Sequence, residues 1–326
     1  MKRNTDKILI IGACGQIGTE LLPVLREKYG TDNVIAADIR QPGDKTKSTG
    51  PFRIVDVTKK DNIVEVVREF DIDTIYNMAA ILSANGESNP RLCWRVNMGG
   101  VINVLETAIE FEMAQVIMPS SIAVFGPDTP RVNTPNDTIL RPTSMYGVTK
   151  VCGERLCDYY VQKFGVDVRG LRYPGIISSE SLPGGGTTDY AVEIFYKAIE
   201  DGYYKCFLKK DTRLPMMFMP DCIKATIQLA EADFDSLIHH NDFNLAAFSF
   251  TPGELVEAIK KYIPDFKCDY EPDHRQQIAE SWPESIDDTQ ARREWGWAPD
   301  WDLDSMTKFM IEKLTQRYKE GRLYSI

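Results

Sequence analysis

The sequence predicts an α/β fold in which a doubly wound parallel sheet is followed by a smaller C-terminal lobe. Three observations predict it. Short apolar runs alternate with helical patterns from residue 7 to residue 173, the mark of repeated β-α-β units. A glycine triplet follows the first run and opens the first helical stretch. After Gly175 the rhythm breaks.

The apolar run at 7–11 reads as a buried parallel strand. A helix to about residue 29 follows, then strands at 34–38 and 53–57, a helix at 58–70 and a strand at 74–79. Apolar spacing at Val96, Val101, Val104, Leu105 and Ala108 predicts a helix over 92–112. A fifth strand at 115–120, a long helix at 146–164 and a sixth strand at 166–173 complete the main series. Beyond it, Pro183-Gly184-Gly185-Gly186 marks a turn-rich loop. Helices at 190–200 and 220–232 and a seventh strand at 242–246 come next. Thr251 and Glu254 have the spacing of a capping box. Trp282, Trp295, Trp297 and Trp301 read as packing of the lobe core, not as a ligand cage. The expected organisation is a dinucleotide-binding domain over 1–175, with segments near 218–247 returning to its sheet. Residues 176–217 and 248–326 form the substrate-binding lobe.

The bulk numbers exclude some functions. With 326 residues and 43% hydrophobic content, the chain is long enough for a large α/β unit with a second lobe. A net charge of −10 argues against a nucleic-acid partner, which would need a basic patch. No run of about 18 apolar residues suggests a membrane span. The short polar stretch before the first strand leaves no room for a signal peptide. Seven cysteines without a Cys-x-x-Cys pair read as reduced thiols, and three histidines offer no metal site. The expected location is cytoplasmic, or the mitochondrial matrix for a processed eukaryotic form.

Two local patterns carry chemistry. Gly12-x-x-Gly15-x-x-Gly18 lies between a strand and a helix. Glycines there allow a tight turn and close approach of a pyrophosphate to the helix N-terminus. Asp38 ends the second strand, where a carboxylate can bind ribose hydroxyls and repel a 2′-phosphate. That favours NAD, although Arg40 beside it could receive such a phosphate. Asp56 could bond the adenine amino group or be a strand-end turn residue. The second pattern is Tyr146-x-x-x-Lys150 on a predicted helix. Four residues apart, the two side chains are neighbours. An ammonium beside a phenol favours the phenolate, which can take a proton from an alcohol while hydride leaves the same carbon.

The glycine loop, the strand-end Asp38 and Tyr146-x-x-x-Lys150, in this order, resemble the extended short-chain dehydrogenases/reductases. Asn77-Met78-Ala79-Ala80 and Ser120-Ser121-Ile122-Ala123-Val124-Phe125-Gly126 resemble segments of that branch. Arg172-Tyr173-Pro174-Gly175-Ile176, the stretch from Pro183 to Ala191 and Trp282-Pro283-x-Ser285-Ile286-Asp287-Asp288 narrow the resemblance to its L-threonine 3-dehydrogenase family. The resemblance implies a Rossmann-type sheet, NAD as cofactor, a homodimer, and oxidation of the 3-hydroxyl of L-threonine to 2-amino-3-oxobutyrate. A UDP-sugar 4-epimerase is the alternative, with Arg213 the one nameable cation for a diphosphate.

Carried onto this sequence, the resemblance implies Tyr146, Lys150 and Ser121 as catalytic residues. Cofactor contacts fall on Gly12, Gly15, Gln16, Ile17, Gly18, Asp38, Ile39, Arg40, Asp56, Val57, Ala79, Asn97, Tyr146, Lys150 and Ile176. Substrate contacts fall on Ser83, Ser121, Tyr146, Gly186, Thr187 and Thr188. Ser83 could equally be a loop hydroxyl, and Thr187 or Thr188 a helix N-cap. The face of the long helix carrying Tyr159, Tyr160, Cys152 and Cys157 is expected to meet a second subunit.

Overall fold

The computed structural model describes residues 6–42, 49–182 and 184–324. Pro183, the first residue of the predicted glycine-rich loop, lies outside them. The first five main strands are β1 Ile8–Ile11, β2 Val34–Asp38, β3 Phe52–Ile54, β4 Thr74–Asn77 and β5 Gln115–Ile117. After β6 Ser120–Ser121 comes β7 Val168–Arg169. Strands β3-β2-β1-β4-β5-β7 lie side by side in that order, and every pairing is parallel. The order reverses direction at β1, the switch point where such sheets bind ligands at their carboxyl ends. Every residue of β1 and β2 is buried, as a strand covered on both faces requires.

The predicted strands at 115–120 and 166–173 each divide in two. The second halves, β6 and β8 Leu171–Tyr173, pair with each other, and β12 Phe243–Asn244 pairs with β8. Gly170 sits at the break between β7 and β8. A side chain there would overlap the carbonyls of Met118 and Asn241 on either side. The sheet thus continues through this pinch with β12 at its edge.

Two apolar layers sandwich the sheet. One holds Leu21, Leu22 and Leu25 of the helix Gln16–Tyr29 with Cys222, Ala225 and Leu229 of the helix Met219–Glu231. The other holds Ile63 and Val67, Val104 and Leu105, and Cys157 and Tyr160. These come from helices Lys60–Phe70, Pro90–Glu110 and Met145–Phe164. A third core joins the helix Tyr190–Glu200 to the helices Pro252–Lys260 and Leu303–Lys319. Strands β9 Gly175–Ile177, β11 Leu214–Phe218 and β13 Phe248–Phe250 form a separate three-stranded sheet, and β10 Tyr203–Cys206 pairs with β14 Lys267–Tyr270. The capping box of Thr251 and Glu254 is present.

The tryptophans divide. Trp282 and Trp301 pack with the lobe core, whereas Trp295 and Trp297 pack beneath the main sheet with Phe243. Tyr160 and Cys157 are buried inside their own chain, so only the Tyr159 and Cys152 side of that helix is left for a partner. No described helix is long and apolar enough to cross a membrane.

Candidate active site

The glycine loop is a cradle closed by sterics. Gly12 has φ +86°, and a Cβ there would overlap the backbone of Met78 and Ala79. Gly18 presses the helix Gln16–Tyr29 onto Gly12 and Ala13, where a Cβ would overlap both. The N–H groups of the first helical turn have no carbonyl behind them in the helix, and they face the carboxyl ends of β1 and β4. No side chain caps this helix at Gly15. Nearby, Asn77 keeps a buried amide oxygen without a hydrogen-bond partner. Free helix N–H groups and an unpaired buried acceptor beside them fit a dinucleotide.

Asp38 is buried at the end of β2. It accepts the N–H of Cys14 at 2.9 Å through one oxygen, and the N–H of Arg40 at 2.9 Å through the other. The Arg40 guanidinium lies 3.3 Å from the second oxygen and also bonds the Cys14 carbonyl. Ile39 is largely exposed. Asp56 lies beyond β3 and closes a turn onto Thr58, accepting its N–H at 3.0 Å and its hydroxyl at 2.7 Å. Those bonds hold its carboxyl below the usual range against the effect of burial. Val57 packs against Gly100.

The helix Met145–Phe164 starts at Ser144, whose hydroxyl accepts the Gly147 N–H at 3.1 Å. Gly147 lets this first turn press against the segment after Ser121. A Cβ there would overlap the Ala123 carbonyl and the Pro142 ring. The contact brings Tyr146 and Ser121 into the lining of one cleft. Lys150 reaches past the ring, its Nζ 5.6 Å from the Tyr146 centroid, and donates to the Pro119 carbonyl at 2.7 Å.

Burial governs the protonation of both residues. The Tyr146 phenol is pushed up to about 12, and Ser121, not Lys150, is the group that opposes this. Burial also pulls Lys150 down to about 8, against the attraction of Cys157, Glu154 and Cys93. In the protein by itself the phenol is protonated and the lysine is close to losing its charge near pH 8. The phenolate expected from the Tyr-x-x-x-Lys spacing therefore needs further positive charge in the site.

Another wall of the cleft is built by contacts between distant segments. Ser83 and Thr187 are both buried and share a 3.0 Å hydrogen bond. Asn85 donates to the Gly184 carbonyl at 3.1 Å. Asp189 accepts the N–H groups of Gly185 and Gly186 at 2.8 and 2.7 Å. Asp189, and neither Thr187 nor Thr188, occupies the N-cap position of the helix Tyr190–Glu200. Thr188 instead lies against Gly175.

These parts enclose one cleft of about 830 Å³. Gln16, Ile17, Ser121, Tyr146, Lys150 and Ile176 line it, with Ser83, Gly186, Thr187 and Thr188 opposite. Of the predicted site residues, Gly12, Gly15, Gly18, Asp38, Ile39, Arg40, Asp56 and Val57 are not part of this lining. Ala79 and Asn97 line a small adjoining cavity that Lys150 also lines. The Asn97 amide is committed to bracing the wall, bonding Ile81 at 2.8 and 3.2 Å and Thr149 at 3.0 Å. The Gln16 amide approaches the Ile176 carbonyl at 3.5 Å. Asp189 and Trp282 are among the lining residues that were not predicted as site residues. Trp282 opened a motif that carried the resemblance, which was the available signal. Asp189 lay in the 183–191 stretch that also carried the resemblance, without a role of its own.

A model of the NAD dependent epimerase/dehydratase family matches residues 8–246. The chain belongs to this family. A family relative from Staphylococcus saprophyticus, described as an uncharacterized epimerase/dehydratase, is 55% identical over 315 residues, or 96% of this chain and 98% of its own. The crystal structure of L-threonine dehydrogenase from Phytophthora infestans is similar at TM-score 0.92 and 53% identity, over 95% of this chain and 99% of that one. A monomeric L-threonine 3-dehydrogenase from a metagenome database, in its apo form, is similar at TM-score 0.92 and 49% identity, over 95% and 99%.

Proposed function

We propose that the chain is an NAD-dependent L-threonine 3-dehydrogenase, oxidising the 3-hydroxyl of L-threonine to 2-amino-3-oxobutyrate. The observation that carries this is that Ser83, Thr187 and Asp189 place polar side chains in the same cleft as Tyr146 and Ser121. The cleft sits in a chain about half identical to solved L-threonine dehydrogenases. Ser121 orients the substrate hydroxyl toward Tyr146. The phenolate of Tyr146 takes the hydroxyl proton as the C3 carbonyl forms. Lys150, fixed on Pro119, holds positive charge beside the ring. Bound NAD⁺ supplies the hydride acceptor and a positive ring that adds to the charge favouring the phenolate. Asp189 offers a carboxylate to the substrate ammonium, while Ser83 and the Thr187–Thr188 turn receive the carboxylate. Water exclusion by the Gly184–Gly186 segment strengthens these contacts.

The cofactor preference is inferred to be NAD over NADP. The glycine cradle, the free first-turn N–H groups and the buried Asn77 oxygen suit the dinucleotide. Asp38 suits unphosphorylated ribose, with Arg40 drawn onto it and not left free for a phosphate. Asp38→Ala is expected to relax the preference, and an unchanged NAD/NADP ratio would remove this role. Residues 1–175 with 218–247 would then carry the cofactor and the remainder the substrate, except that 289–297 pack beneath the main sheet. A homodimer is inferred from exposed Trp94, Ile102 and Tyr159 on two neighbouring helices. Light scattering of the purified chain tests it, and a monomer at micromolar concentration rejects it.

The deciding assay is NADH formation with L-threonine, L-serine and UDP-galactose compared side by side. Threonine-dependent NADH is expected. Turnover of the UDP-sugar without it would favour the epimerase reading. Against that reading, Arg213 is engaged with Glu254 and the Ser249 carbonyl. Among the described residues lining the cleft, Lys150 is the one cation, which leaves a diphosphate without a basic partner.

A further inference from the structure

Beyond Tyr146 and Lys150, the same helix face carries Glu154, a further four residues on and buried. The three lie along one short segment. Tyr146 shares the cleft lining with Ser121, Lys150 holds the Pro119 carbonyl at 2.7 Å, and Glu154 accepts the Ser120 hydroxyl at 2.5 Å. Resting on the threonine-oxidation reading, we propose that Glu154 is a positioning residue of this centre. Held by Arg172, it locks the Pro119–Ser121 segment against the helix and keeps a negative charge one turn beyond Lys150.

Glu154 is held in a geometry that suits this. Arg172 binds both of its oxygens at 2.8 Å. Arg172 is in turn fixed by the Asn136 carbonyl at 2.7 Å and the Asn244 amide oxygen at 3.3 Å. Such a two-point guanidinium–carboxylate pair sets orientation as well as charge. Arg172 also precedes Tyr173, Pro174 and Gly175, which line the cleft. One buried pair therefore joins the Ser121 segment, the Tyr146 helix and the far wall.

The charged surroundings are few. Glu154 also has Arg155 at 3.7 Å, and Arg172 has Asp242 at 3.6 Å. Facing Lys150 are Glu154 and Cys157 from its own helix and Cys93 from the helix Pro90–Glu110. Of these, Glu154 is the carboxylate. Removing it leaves burial less opposed, so Lys150 loses its proton at lower pH. The alkaline fall in kcat then moves down.

The test is the pH dependence of threonine-dependent NADH formation. Ser120→Ala breaks the tie and keeps the ion pair. It is expected to lower kcat about ten-fold through lost alignment, with KM within about two-fold and the alkaline limb unmoved. Glu154→Gln combined with Arg172→Gln leaves no unpaired buried charge, and its limb is expected to fall by about one pH unit. Glu154→Asp retains the charge and shortens the reach. It is expected to keep the parent limb at reduced kcat, and it decides the matter if the double variant does not fold by circular dichroism. Parent-like kcat in Ser120→Ala or Glu154→Asp, or a parent-like limb in the folded double variant, overturns the proposal. A parent enzyme inactive on L-threonine overturns the functional reading instead.

Discussion

Ser83 and Thr187 share a 3.0 Å hydrogen bond although they lie 104 residues apart in sequence. The bond ties the short helix Ser83–Ser88 to the loop before the helix Tyr190–Glu200. It places two hydroxyls on the cleft wall opposite Tyr146. Each Ala substitution, at Ser83 or at Thr187, is expected to raise the KM for L-threonine about five- to ten-fold, the scale of one buried hydrogen bond. The affinity for NAD should stay close to that of the parent. Steady-state kinetics in both substrates checks this, and an unchanged threonine KM would remove both residues from the substrate side.

Tyr146 is expected to ionise only with cofactor bound. By itself its phenol is pushed up to about 12, because burial outweighs the opposing effect of the Ser121 hydroxyl. A positive charge brought into the cleft lowers that value. Adding NAD⁺ at pH 9 should therefore produce the ultraviolet difference signal of one tyrosinate, absent in Tyr146→Phe. That variant should also lose about 10²- to 10⁴-fold in kcat while still binding NAD. Near-normal turnover in Tyr146→Phe would place the base elsewhere.

Gly147 permits the contact between the Tyr146 helix and the Ser121 segment. In Gly147→Ala the added methyl meets the Ala123 carbonyl and the Pro142 ring, and the backbone carbonyl cannot rotate away. Overpacking of this kind costs about 1–3 kcal/mol. The melting temperature should drop by a few degrees, and activity should fall more than ten-fold as Tyr146 and Ser121 separate. Parent-like activity would show that the two elements have slack.

Glu20 makes stability depend on pH. It lies on the glycine-loop helix, bonded to Ser178 and half-buried. Burial, more than the nearby Glu180, raises its carboxyl to about 7, while Ser178, Lys313 and Arg317 pull the other way. The folded state thus holds the proton more tightly than the unfolded chain does. The stabilisation is fully present below about pH 4.5 and is lost as pH rises through 7. Glu20→Gln is expected to melt higher than the parent at pH 8 and about equally at pH 5. Equal differences at the two pH values, read by differential scanning calorimetry, would sink this.

Much of this architecture is legible in the sequence because it is set by local rules. The alternation of strand and helix, the three glycines and the capping box at Thr251 depend on residues within a few positions of one another. The strand breaks at Met118 and Gly170 were not legible, because they arise from backbones of three separate segments pressed together. Thr187 and Thr188 had the composition of a cap, yet Asp189 stands at that position without a side-chain cap bond, its carboxylate turned back to the N–H groups of Gly185 and Gly186.

By itself the sequence determined that Tyr146 and Lys150 share a helix face, since that follows from helical spacing alone. It also determined the order of strand, glycine loop and Asp38, where chain continuity leaves little choice. Tertiary structure alone decided the rest. It put Trp282 and Asp189 on the cleft wall, joined Ser83 to Thr187, and buried Tyr146 deeply enough to keep it protonated. The reason is that desolvation and distant contacts sum over residues far apart in the chain. No local pattern records which of them will meet.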